Sequence, residues 1–278
     1  MSSRDSNEIF GGMRGMPSRN VMSEDFGYEV PVEAVPLPSK GLVYPEDSAM
    51  SGQETIDIRA MTAKDEDILT SRALIKKGTV ITHLLQGCII NKAIDVEDML
   101  IGDRNAIMTA LRVTGYGPDY EVKVECPACG EQSKQVFDLS QLPIKRLGTP
   151  PVAEGINLFE VQLPVTKKRV RLKFLTGKDE REITITEERK KKQGSKADNL
   201  VTQRLKYAIT SIEGIEDKTK IGMFISNMPA RDSLFLRRWL DDNEPGIDMK
   251  SWMECPHCDE HSEVSLPMGA SFFWPDAG

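Results

Sequence analysis

Two short runs, Cys126-Pro127-Ala128-Cys129-Gly130 and Cys255-Pro256-His257-Cys258-Asp259, hold four of the five cysteines in the chain. Two residues between sulfurs let a pair of thiolates converge on one ion about 2.3 Å away, and two such pairs complete a tetrahedral site for zinc. Proline after the first cysteine fixes φ in the turn, and Gly130 permits the left-handed conformation that closes it. The flanks repeat too. Glu125 and Glu254 precede the pairs, a polar turn follows each, and then Gln135–Leu139 and Glu263–Leu266 alternate as strands do. The runs before the pairs, Tyr120–Val124 and Ile247–Trp252, also suit strands. Each pair therefore belongs at the tip of a β-hairpin, with Cys126, Cys129, Cys255 and Cys258 as candidate ligands of one structural Zn2+ ion. Four sulfurs leave no open position for water, so catalytic zinc is disfavoured.

Two other readings of these cysteines stand beside zinc. Cys255 and Cys258 match a dithiol redox motif, which needs a helix N-terminus to lower the thiol pKa. The run after Cys258 alternates like a strand, so that helix is missing. The plainest alternative is two inert thiol pairs. His257 and His261 are potential substitute ligands but belong more simply on the exposed turn.

A shared ion would tie residues 116–140 to residues 247–266, so the intervening chain must fold as an insertion between the halves of one ribbon. The chain reads as α+β: a helical domain flanking a four-cysteine zinc ribbon made of two distant β-hairpin knuckles, with an inserted α+β segment. The expected divisions are a disordered tail at 1–27, an extended arm and helical domain at 28–115, and the first ribbon half at 116–140. The inserted segment follows at 141–246, then the second ribbon half and aromatic C-terminus at 247–278.

Within the arm, Pro31, Pro36 and Pro38 forbid a helix, and Leu37–Tyr44 forms a turn between extended pieces. Thr55–Arg59 alternates as a strand. Thr62 caps a helix whose first turn carries Asp65, Glu66 and Asp67, where the helix dipole favours negative charge, and Ile68, Leu69, Leu74 and Ile75 form its apolar face. Val80, Ile81, Leu84, Leu85, Cys88 and Ile89 mark a second helix, with His83 and Cys88 as core or boundary residues. Asp95 is placed to cap a short helix holding Val96, Met99 and Leu100. Asp103 is placed to cap a longer one running through Arg112 to Gly115 and Gly117.

Residues 141–155 read as a Pro- and Gly-containing connection. Asn157–Leu163 and Lys168–Phe174 form a strand pair, with Val170, Leu172 and Phe174 on one side and Arg169, Arg171 and Lys173 on the other. Such a basic row suits a solvated strand face or a protected edge better than a polyanion site. Gly177–Gln193 is a charged helix ending in Arg189–Lys192. Leu200, Leu205, Ala208, Ile209 and Ile212 mark another, Lys220–Asn227 has no clear type, and Pro229 opens a helix carrying Leu234, Phe235, Leu236, Trp239 and Leu240. Phe272-Phe273-Trp274-Pro275 is either clamped into the core or presented to a partner.

Composition sets outer bounds. Of the 278 residues 39% are hydrophobic and 28% charged, enough for a sizeable core in a soluble, intracellularly made protein. No apolar run reaches the roughly 20 residues of a membrane span, and no secretory core opens the chain. A net charge of −7 disfavours nonspecific nucleic-acid binding by the whole molecule. No phosphate loop, zincin signature or nucleophile elbow occurs, and three histidines leave little for histidine catalysis.

Several runs together resemble the baseplate hub assembly proteins of T4-type tailed bacteriophages. They are Leu37-Pro38-Ser39-Lys40-Gly41-Leu42-Val43-Tyr44, Met61-Thr62-Ala63-Lys64-Asp65-Glu66-Asp67-Ile68-Leu69, Leu100-Ile101-Gly102-Asp103-Arg104 and Ala110–Gly117. Tyr120, Cys126-Pro127-Ala128-Cys129 and the Phe-Phe-Trp-Pro ending complete them. The resemblance covers roughly residues 35–140. It implies a non-enzymatic protein of a contractile tail, either a permanent hub subunit or an assembly chaperone. Its partners would be other baseplate hub or tail proteins, with no membrane and no small-molecule substrate. It would act in the host cytoplasm during assembly and, as a subunit, reside in the virion tail baseplate. The rival classes are a zinc-ribbon nucleic-acid binder using the basic strand face and Arg189–Lys192, and a thiol oxidoreductase using Cys255 and Cys258.

Overall fold

The computed structural model describes residues 30–192, 200–268 and 270–273, and the expected tail at 1–27 lies outside them. The chain begins with an antiparallel pair, β1 (Val32–Pro36) and β2 (Thr55–Arg59), in which buried Val35 lies opposite buried Ile56. Three helices follow: α1 (Ala63–Thr70), α2 (Arg72–Lys77) and α3 (Val80–Cys88). Thr62 caps α1 as expected, but Asp65 does more than face the helix dipole. Its carboxylate accepts from the Thr62 amide and hydroxyl, both at 2.8 Å, and from the Arg59 guanidinium at 2.6 Å.

The single apolar face expected through Ile75 is broken at Ser71, whose extended backbone separates α1 from α2. Leu69 is buried while Ile75 is 53% exposed. In α3 the stripe of Leu84, Leu85 and Cys88 is buried as expected, whereas His83 is exposed, its ring nitrogen 2.8 Å from the Thr79 carbonyl. The short helix expected after Asp95 is a turn. The Asp95 carboxylate accepts from the Glu97 amide at 2.8 Å, a local bond that competes with helix formation. Val96, Met99 and Leu100 are nevertheless buried.

The central helix is α4 (Ile101–Tyr116), buried from Gly102 to Arg112 except at half-buried Asn105. Asp103 is not its cap. The helix starts two residues earlier, and the fully buried Asp103 carboxylate accepts from the Ser39 amide at 3.0 Å, the Ser39 hydroxyl at 2.6 Å and the Tyr44 hydroxyl at 2.7 Å. Those bonds pin the Leu37–Tyr44 turn to the helix. Desolvation raises the Asp103 pKa, and the three donors oppose that rise.

Helix α4 leads into a hairpin of β3 (Asp119–Glu125) and β4 (Gln132–Asp138), then β5 (Ile144–Lys145). A three-stranded antiparallel sheet follows, with β6 (Phe159–Gln162) and β7 (Arg169–Leu172) as its first two strands. Helices α5 (Gly177–Lys192) and α6 (Leu200–Ala208) come next. The helix expected to run to Ile212 stops at Ala208, because Ile209–Ile212 is the third strand, β8, paired with β7. Its β-branched residues fit a half-buried pleated edge better than another helical turn. Lys220–Asn227 falls in α7 (Lys218–Asn227), capped by the Asp217 carboxylate on the Lys220 amide at 2.8 Å. Pro229 precedes α8 (Ala230–Asn243) as its N-cap, one position earlier than expected.

The chain returns through β9 (Gly246–Ile247), which pairs with β5, to a second hairpin, β10 (Lys250–Glu254) and β11 (His261–Ser265). Phe272 and Phe273 are clamped inside, 0% and 1% exposed, with Phe272 edge-on to Tyr120 at 5.3 Å. Trp274 and Pro275 lie outside the described residues. One contiguous core joins Val35, Leu111, Phe174, Leu236 and Phe272.

Candidate metal centre

Both cysteine pairs occupy the tips of two-stranded hairpins, and the tips are built alike. The Cys126 amide donates to the Glu131 carbonyl at 2.9 Å, and the Gly130 amide donates back to the Cys126 carbonyl at 2.8 Å. At the second tip the Cys255 amide donates to the Glu260 carbonyl at 3.1 Å, and the Asp259 amide to the Cys255 carbonyl at 2.9 Å. Each turn closes through a left-handed residue: Gly130 at φ 76° and Asp259 at φ 56°. Aspartate is one of the few side chains that tolerates that region.

The four sulfurs meet. Cys126, Cys129, Cys255 and Cys258 place their Sγ atoms within 4.8 Å of one another, although 126 residues or more separate the two hairpins at the contacts. Cys126 Sγ lies 3.8 Å from Cys258 Sγ, and Cys129 Sγ lies 3.7 Å from Cys255 Sγ. Ligands at about 2.3 Å on tetrahedral axes would have sulfur–sulfur edges of about 3.8 Å. The spacing fits an ion at the centre and is far longer than the roughly 2.05 Å of a disulfide. Cys126 and Cys255 are buried while Cys129 and Cys258 are exposed, so the first thiol of each pair points inward and the second closes the site from outside.

The thiols are electrostatically unequal. The Cys126 pKa falls to about 7, chiefly through the Cys129 amide, with the Ala128 amide and the Cys255 sulfur acting the same way. The Cys258 pKa is pushed up to about 12: the Glu260 amide lowers it, but desolvation and the sulfurs of Cys255, Cys129 and Cys126 outweigh that. One thiolate forms readily and opposes the next, an arrangement that a shared cation relieves.

The supports of the site carry weaker sequence signals. Gln135 Nε2 donates to the Glu254 carbonyl at 3.2 Å, and Tyr120 donates to the Pro267 carbonyl at 2.8 Å, so each joins one hairpin to the other arm. No ladder joins the hairpins, which are separate two-stranded sheets. The two distant hairpin knuckles expected from the sequence are therefore present, and they meet at their sulfurs. His257 and His261 are exposed on the second tip, away from the sulfur set. Cys88 plays no part: it is buried in α3, and desolvation pushes its pKa up to about 12.

Cys258 is followed by strand β11, with no helix N-terminus to stabilise a nucleophilic thiolate. The basic row of Arg169 and Arg171 on β7 and Lys173 just after it is paired with acids: Arg169 with Glu213 at 4.0 Å, Arg171 with Glu160 at 2.9 Å and Lys173 with Asp179 at 2.7 Å. Among the described residues no helix is long and apolar enough to cross a membrane.

Fold and site together define an α+β protein whose distant hairpins are drawn together at a four-cysteine cluster. A family model described as "T4 bacteriophage base plate protein" matches residues 44–274, most of the chain, and the chain belongs to that family. It is therefore a structural protein of a phage tail base plate, whose contacts are with other tail or base plate proteins. No curated protein and no solved structure matches it.

Proposed function

We propose that this chain is a non-enzymatic hub assembly protein of a contractile tail base plate, held in shape by a structural zinc ion on Cys126, Cys129, Cys255 and Cys258. The observation that carries the zinc is the sulfur quartet, with two cross-hairpin spacings of 3.7 Å and 3.8 Å. All four donors are protein thiols, so the ion would have no free position for substrate or water. Its role would be to lock residues on either side of the inserted segment into one rigid body. The family match and the two hub-like runs, Leu37–Tyr44 and Leu100–Arg104, support the assembly role; the structure ties those runs together through Asp103.

Metal content of freshly purified, reduced protein tests the site: one zinc per chain is expected, with four thiols protected from alkylation until a chelator is added. Metal-free protein with the native fold ends the zinc reading. Mass spectrometry of purified virions beside complexes isolated from infected cells tests the role. A permanent subunit appears in both, a chaperone only in the intracellular complexes, and absence from both ends the assembly reading.

A further inference from the structure

The two halves of the chain follow one plan. In the first, β1 leads to Leu37-Pro38, β2 ends at Arg59, Thr62 and Asp65 open α1, and α4 precedes the Cys126 hairpin. In the second, β6 leads to Leu163-Pro164, β7 is followed by Lys173, Thr176 and Asp179 open α5, and α8 precedes the Cys255 hairpin. The contacts repeat as well. Arg59 pairs with Asp65 at 2.6 Å, and Lys173 pairs with Asp179 at 2.7 Å. Asp103, third residue of α4, accepts from the amide following Pro38 at 3.0 Å. Asp232, third residue of α8, accepts from the amide following Pro164 at 2.8 Å. In both halves 23 positions separate that aspartate from the first knuckle cysteine.

This register sets α4 against α8 residue by residue and exposes one difference. Gly102, Ala106, Thr109 and Ala110 of α4 stand where α8 has Arg231, Phe235, Arg238 and Trp239. The small stripe on α4 is buried, and the extended segment at Pro245-Gly246 crosses it so closely that a Cβ on Gly102 would lie 1.7 Å from the Pro245 oxygen. Among the described residues no extended segment crosses the large stripe on α8 in that way. With Pro164 and Leu234 it walls a groove of about 440 Å³. Arg231 and Arg238 are exposed and, among the described residues, pair with no carboxylate, unlike Arg169, Arg171 and Lys173. The far wall is rigid, because the buried Asp232 carboxylate holds the Val165 and Thr166 amides at 2.8 Å and 3.1 Å.

We propose that this α8 groove is a docking site for a segment of a partner base plate protein, one that carries carboxylates beside a large apolar side chain. The carboxylates pair with Arg231 and Arg238, and the apolar side chain enters between Leu234, Phe235 and Pro164. The segment takes the place on α8 that the chain's own Pro245–Ile247 run takes on α4. Arginine flanking a desolvated aromatic and aliphatic floor is the composition of interface hot spots. A nucleic acid fits less well. Trp239 is half-buried, with Phe174 stacked on it at 6.0 Å and Phe159 tilted against it at 5.7 Å, so little of its ring is open for a base to stack on. The proposal rests on membership of the base plate family and on neither the zinc nor the hub role.

The test uses the full-length chain on an array of 12-residue peptides that vary independently in carboxylate number and in aromatic or leucine content. Binding is expected to concentrate in members with two or more carboxylates next to Phe, Trp or Leu. It should fall at least tenfold for the same peptides in a chain carrying Arg231→Glu and Arg238→Glu. These are exposed positions, and circular dichroism with zinc content checks that the variant is folded. Binding without that composition dependence, binding unchanged by the double substitution, or no binding at all overturns the proposal. So does salt-dependent capture of an oligonucleotide in preference to the peptides, or sedimentation as a dimer that the double substitution dissolves. Because zinc content and virion composition are read separately, failure here is distinct from failure of the proposed function.

Discussion

The guanidinium of Arg112, near the C-terminal end of α4, donates through Nε to the main-chain carbonyl of Phe272 at 2.9 Å, across 160 positions of sequence. Its two remaining nitrogens donate to the Gly117 and Asp119 carbonyls at 2.8 Å and 2.9 Å. A cation 1% exposed is thus held by three backbone oxygens, and it ties the end of α4, the start of the first hairpin and the buried C-terminal aromatics together. Desolvation lowers its pKa, opposed by the nearby Tyr116, Tyr120 and Asp119.

Arg112→Met keeps the volume and removes all three donors. Leaving buried carbonyls unpaired costs about 1–3 kcal/mol each, less whatever water recovers, so the loss is expected to be on the order of 3–5 kcal/mol. Urea denaturation measures it, and a loss below about 1 kcal/mol would show that the Phe272 anchor is dispensable.

Removal of one outer thiol, Cys129→Ser or Cys258→Ser, is expected to abolish stoichiometric zinc and destabilise the fold by several kcal/mol, on the order of the coupling seen in small zinc sites. Because both thiols serve one ion, the double variant is expected to lose little more than either single variant. Cys88→Ser is the control. It places a hydroxyl in the core at a cost of about 1–3 kcal/mol but leaves zinc content unchanged.

Asp65 sets an acid-side dependence. Burial alone would raise its pKa, but the Arg59 guanidinium and the Thr62 amide and hydroxyl hold it below the usual carboxylate range. A carboxylate lowered in the folded state contributes stability that is present above its unfolded pKa and lost as pH falls through the folded one. Wild type is therefore expected to exceed Asp65→Asn by about 2–4 kcal/mol at pH 7. The gap should close as pH drops below about 4. Urea titrations of both proteins at several pH values check the sign, and a gap that widens in acid would contradict the assignment.

Two glycines should respond oppositely to alanine. At Gly102 the added Cβ would lie 1.7 Å from the Pro245 oxygen, backbone that cannot step aside without breaking the packing of α4 against β9. Gly102→Ala is expected to cost at least about 2–3 kcal/mol. At Gly222, in α7, the nearest atom is the Lys206 Cε at 3.6 Å, an ordinary contact with a flexible side chain. Gly222→Ala should stabilise by up to about 1 kcal/mol through helix propensity. Thermal melts of the two variants separate the effects.

The knuckles and the strands beside them are legible in the sequence, because hairpin turns and metal ligands are specified by residues a few positions apart. Thr55–Arg59, the α1 cap at Thr62 and the α3 stripe are legible for the same reason: period and capping are local. Asp103 and Ile209–Ile212 are not. An aspartate at a helix start looks like a cap, and only the approach of Ser39 and Tyr44 makes it a buried acceptor. An apolar run after a helix looks like more helix until a neighbouring strand offers a ladder. The duplicated plan escapes notice because its copies share spacing and contacts but few identities, and its clearest marker is an aspartate whose partner lies about 65 residues earlier, 64 for Ser39 in the first half.

By itself, the sequence determined the chemistry available: four thiols in two tight turns, a net negative charge, and a series of local strands and helices. Only the tertiary structure decided that the thiols meet, that Phe272 and Phe273 are buried, and that, among the described residues, a chain segment crosses α4 but not the matching face of α8. Local signals act over one turn of backbone, whereas these outcomes depend on which surfaces the whole chain brings into contact.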